Sequence, residues 1–157
     1  MKKWLLFMLP LVTLVLSALA WKLYQPSNQP SISLLPMSSQ CQLHINDCVI
    51  EHEGVSVRLS ISPRPIPIAK SLNIIAEIAG VDPEKVQLDI NGSNMYMGYN
   101  RVNLTQSNSN VWQGKSILSF CTIDEMQWQI TLLIHLADGH QIQAPFALTT
   151  PFQPKHP

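Results

Sequence analysis

Residues 55–62 read Val55-Ser56-Val57-Arg58-Leu59-Ser60-Ile61-Ser62. Every odd position is apolar and every even one is polar. Side chains alternate between the two faces of a strand, so this stretch is a strand with one face in a core and one in water. Ser62-Pro63-Arg64-Pro65-Ile66-Pro67 follows at once and ends it, because proline brings no N–H to a β-ladder.

The same period of two recurs outward from there. Cys48–Glu51 precedes it. Leu72–Ile78, Val86–Ile90, Met95–Leu104, Val111–Phe120, Met126–Leu136 and Gln141–Leu148 follow. Asn91-Gly92 and Asp138-Gly139 mark turns, the latter a strong hairpin signal. Val81–Lys85 hints at one helical turn. No repeat or heptad is present. Seven or eight short strands in about 110 residues predict an all-β fold, an immunoglobulin-like antiparallel β-sandwich over residues 41–150.

The front of the chain is of another kind. Trp4–Trp21 is 18 residues without a charge. As a helix it would be about 27 Å long, close to the ~30 Å bilayer core. Lys2 and Lys3 precede it and Lys22 follows, a bias that keeps residues 1–3 in the cytoplasm and sends the rest outward. Residues 4–21 are therefore expected to form a single transmembrane anchor. The rival reading is a cleaved secretion signal, with Ala18-Leu19-Ala20 as the cleavage site. Either places the remainder outside the cytoplasm, in a bacterium a periplasmic domain on the inner membrane. Residues 22–40, rich in Pro, Ser, Gln and Asn, form an extended linker, and residues 151–157 a loose tail.

Composition narrows the function. Ten Lys and Arg balance ten Asp and Glu, and only 13% of residues are charged. Such a chain is no nucleic-acid binder. It has no nucleophile elbow, no phosphate-binding glycine loop, no His-Glu-x-x-His and no Cys-x-x-Cys. Asp124 and Glu125 are adjacent, so in a strand they diverge. An enzyme is not expected.

The sulfur residues are the chemistry that remains. Three cysteines in an oxidising compartment leave one over. Cys41 and Cys48 are close enough to pair as a small loop, although a bond from either to Cys121 is also open. Met95 and Met97 are two apart, so on a strand they share a face. Val102 and Leu104 have the opposite parity, so a continuous strand turns both methionines away from the core and a bulge at Gly98 returns them. Met126 shares the parity of Trp128, Ile130 and Leu132, the core side, yet follows Cys121 by five residues. Thiolate and thioether ligands select Cu(I). Met95, Met97, Cys121 and Met126 are the candidate ligand set, with His44 a possible nitrogen donor. Tyr96, Tyr99 and Arg101 offer a second kind of site, since Tyr and Arg are favoured anchors in protein interfaces.

Four stretches carry a resemblance: Cys41-x6-Cys48, SPRPIPIAKSL at 62–72, NMYMGYNRVNL at 94–104 and WQGKSILSFCTIDEMQW at 112–128. Together they resemble a family of small membrane-tethered exported proteins, similar in plan to immunoglobulin-like accessory proteins of copper-oxidase assembly. The resemblance implies a periplasmic role near respiratory copper handling, with an oxidase-assembly protein as partner and Met95, Met97, Cys121 and Met126 as its recurrent sulfur positions. The alternative is a metal-free interaction module that contacts a membrane complex.

Overall fold

The computed structural model describes residues 2–24, 31–38, 41–120 and 125–151, the side chains of residues 2–9 and 11 excepted. Helix α1 is Lys2–Tyr24. Among the described residues no helix is long and apolar enough to cross a membrane. The transmembrane helix expected at 4–21 is thus not found there. Most of its first half lies outside the described side chains, so the described residues do not hold an apolar run of the length a span requires.

Among the described residues nine strands follow: β1 Ile32–Leu34, β2 Cys48–His52, β3 Val55–Ser62, β4 Ser71–Ala79, β5 Pro83–Gly92, β6 Arg101–Asn108, β7 Val111–Ile117, β8 Glu125–Leu136 and β9 Gln141–Pro151. The all-β class expected from the alternation is what forms. β4 shows why most plainly: Leu72, Ile74, Ala76 and Ile78 are buried, and the residues between them are exposed.

The strands make one curled, mixed sheet in the order β1-β9-β8-β5-β6-β7-β4-β3-β2. β6 is the strand at which it turns. Its residues 101–104 pair with β5, Leu104 opposite Val86, while Thr105, Gln106 and Asn108 pair with β7. Residues from both halves, among them Val57, Leu59 and Ile74 on one side and Leu88, Ile130 and Phe146 on the other, belong to one buried cluster. All ladders are antiparallel except β1 with β9.

Local chemistry sets the connections. β2 and β3 are joined by Glu53 and Gly54, both with positive φ, as a two-residue turn with the twist of the flanking strands requires. Asp138-Gly139 makes the expected hairpin. Gly139 sits at φ 84°, and the His140 N–H donates to Asp138 Oδ1 at 2.8 Å.

Four details differ from the sequence reading. β1 lies within the expected linker. Val81–Lys85 is not a helical turn, since β5 begins at Pro83. β7 stops at Ile117, where the chain leaves its ladder and Leu118 O accepts the Ala69 N–H at 2.9 Å. Residues 93–100 are not strand at all.

Cys41 and Cys48 form a disulfide with Cα atoms 5.3 Å apart. Cys48 is buried and Cys41 packs against the same core. Cys41→Ser is expected to lower stability by about 2–3 kcal/mol, the chain-entropy value for so short a loop. Chemical denaturation with and without reductant measures it, and the reductant should affect the parent and not the variant.

Candidate functional site

The loop of residues 93–100 sits at one end of the sheet. β5 reaches that end at Gly92, opposite Trp128 of β8, and β6 leaves it at Arg101, opposite Asp89. Two asparagines hold the loop. Asn94 Nδ2 donates to Glu125 O at 2.9 Å, and Asn94 Oδ1 accepts the Gln127 N–H at 3.1 Å. Its neighbour Ser93 donates its N–H to Gln127 O at 2.8 Å. At the other side Asn100 Nδ2 donates to Ile117 O at 3.0 Å, and Asn100 O accepts the Ile90 N–H at 2.9 Å. These bonds satisfy strand-edge groups with side chains instead of a ladder. They are the reason the stretch is not a strand, and Gly98, at φ 77°, completes the turn.

The clamp sorts the five residues between the asparagines. Tyr96 is 88% exposed and Tyr99 78%. The Arg101 guanidinium lies 5.2 Å from the centre of the Tyr99 ring, a cation–π distance. Arg101 Nε also donates to Asp89 Oδ1 at 3.2 Å. That hydrogen bond, more than any other influence, raises the Arg101 pKa further and fixes its charge. Tyr99 and Arg101 thus meet on an exposed surface, aromatic and cationic, with Arg101 braced by Asp89, and Tyr96 is exposed on the same loop.

The methionines divide. Met126 is 1% exposed and belongs to the core, as its parity required. Met97 is half-buried and packs against the same core. The two meet above Gly92: a Cβ built there would strike the Met126 methyl carbon and Met95 O and lie 3.0 Å from Met97 Cγ. Met95 is 37% exposed. The expectation that Met95 and Met97 share a strand face does not apply, because neither is on a strand. Cys121 lies outside the described residues. Among those described, no group of three or more His, Cys, Asp or Glu is placed to hold a metal.

His44 is not available as a ligand. Its Nδ1 accepts the Ile66 N–H at 3.0 Å and its Nε2 donates to Thr149 O at 2.7 Å, so both ring nitrogens serve the backbone. The imidazole stitches the disulfide loop to the proline-rich loop and to β9. Arg64 of that proline-rich loop pairs with Asp47 of the disulfide loop, and this hydrogen bond holds the Asp47 carboxyl below the usual carboxylate range.

The sequence reading passed over Asn94, Asn100 and Asp89, and took Gly92, the last residue of β5, for a turn signal alone. Asparagine at both borders of a glycine-containing stretch was a visible loop signal. The role of Gly92 was not visible, since it is a missing side chain that makes room for residues five and thirty-four positions later. No family model matches the chain, and neither does any curated protein or solved structure.

Proposed function

We propose that this chain is an exported recognition module, anchored to the bacterial inner membrane by the apolar residues 4–21, that binds a protein partner through the 93–101 loop. The observation that carries this is the pair Tyr96 and Tyr99, exposed on a loop that asparagines clamp at both ends. Aromatic anchors held in place before binding lose little entropy when a partner arrives. The resemblance noted above points to a respiratory-oxidase assembly protein as that partner.

The finer architecture fits this reading. We take the curled sheet as an immunoglobulin-like sandwich in which β6 passes from one layer to the other, the register at Leu104 and Thr105 being the support. End loops are the usual binding surfaces of such folds.

The test places a photo-crosslinking residue at position 96 or 99 of the full chain in its native membrane, with position 113, exposed on β7 and outside the loop, as control. One discrete adduct with an exported protein is expected at 96 and 99 and none at 113. Tyr96→Ala with Tyr99→Ala should weaken binding of that protein at least tenfold and shift stability by no more than about 0.5 kcal/mol. Identical crosslinking from all three positions would reject the reading.

A second reading has its own observation. Met97 and Met126 converge over Gly92, and Cys121 is five residues from Met126 in the chain. With Met95 these sulfurs are the set that would take Cu(I), and handling copper for oxidase assembly is the function that would follow.

A further inference from the structure

Residues 31–35 join the apolar segment to the folded body at a definite place. β1 runs parallel to β9, with Ile32 opposite Gln141 and Leu34 opposite Gln143. Ser31 O accepts the Gln141 N–H, and the Leu35 N–H donates to Gln143 O, both at 2.9 Å. Ser31 Oγ lies 2.6 Å from His140 Nδ1. Leu35 is buried in the core, while Ile32 and Leu34 are exposed. The strand is thus held by backbone bonds and one anchoring side chain.

The register says which end that is. Ser31 meets β9 at its start, beside the Asp138-Gly139 hairpin. The 93–100 loop meets β8 at its other extremity, with Asn94 bonded to Glu125. β8 has twelve residues from Glu125 to Leu136, about 40 Å at ~3.3 Å per residue. With β1 docked, only residues 25–30 separate α1 from the body, a reach of at most about 25 Å. With β1 released, residues 25–40 would be free to reach about 60 Å.

We propose that β1 is a strap that turns the 93–101 loop away from the anchoring bilayer, so that its partner is a water-exposed part of an exported protein and not a membrane-embedded segment. This rests on the anchoring and recognition readings above. A short tether at one end of a rigid body some 40 Å long presents the opposite end to the aqueous space.

The test uses the full chain reconstituted in vesicles that contain a small fraction of headgroup-labelled acceptor lipid. A donor dye is attached through an unnatural residue at position 109, in the turn between β6 and β7 near the tethered end, or at position 96. Energy transfer to the lipid is expected to be at least twofold stronger from 109 than from 96. Ser33→Pro removes an N–H from the middle of β1 and should abolish the difference, and Leu35→Asp should do the same by removing the anchor. Circular dichroism checks that each variant remains folded. Equal transfer from both positions in the parent, or a difference that persists in folded Ser33→Pro, overturns the strap. Protein that does not float with the vesicles overturns the anchoring reading itself, an outcome separate from the first two.

Discussion

Gly92→Ala is expected to lower stability by about 3 kcal/mol, at the upper end of overpacking costs, and to displace the 93–100 loop. Alanine is not barred by backbone conformation here, since Gly92 does not have a positive φ. Its Cβ would even reduce the entropy of the unfolded chain. The obstacle is contact. The new carbon would strike the Met126 methyl, which can rotate, and the Met95 carbonyl, which cannot move unless the loop does. Gly114→Ala is the control: a second strand glycine, whose added carbon would meet Leu104 Cδ2 at 2.7 Å, the mobile end of a side chain. It should cost less than half as much. Thermal denaturation gives the two stabilities, and amide exchange at residues 93–100 should quicken in the Gly92 variant alone. Equal costs, with unchanged exchange, would mean that Gly92 does not seat the loop.

What the sequence made legible follows the range of the interactions concerned. β3, β4 and β8 could be read because their alternation is a local record of which face is buried, and Met126 fell on the core side by the same parity. The Cys41–Cys48 pairing was legible as a short spacing, although another partner stayed open. β1 was not legible. It is three residues in a Pro- and Ser-rich stretch, with no alternation to read, and it exists because β9 offers it a ladder. The strand expected at 95–104 forms only from Arg101 on, because Asn94 and Asn100 bind backbone groups 17 to 33 residues away along the chain, and composition does not report that. The turn of the sheet at β6 was hidden too, since the change of partner between Leu104 and Thr105 leaves no mark on β6 itself. Tyr99 and Arg101 stand two apart in the sequence and meet in the structure, but Asp89, which braces Arg101, belongs to another strand.

Met126 separates packing from metal binding. Met126→Ala empties a fully buried site and is expected to cost about 3 kcal/mol, within the usual range for a buried Met→Ala change. Met126→Leu keeps the volume and should cost under about 1.5 kcal/mol. If Met97 and Met126 only pack, the leucine variant, alone or with Met97→Leu, is close to the parent in every respect. If they are ligands, Met97→Leu with Met126→Leu should weaken Cu(I) binding by the full-length chain at least tenfold, measured by competition with a chromophoric chelator, while the melting temperature barely changes. The alanine variant cannot make this distinction, because a disturbed loop would lose a metal and a protein partner alike. The leucine pair can, since it removes two sulfur atoms and leaves Tyr96 and Tyr99 where the asparagine clamp holds them. Unchanged Cu(I) affinity in the pair would assign both thioethers to the core and leave the aromatic surface as the functional part of the loop.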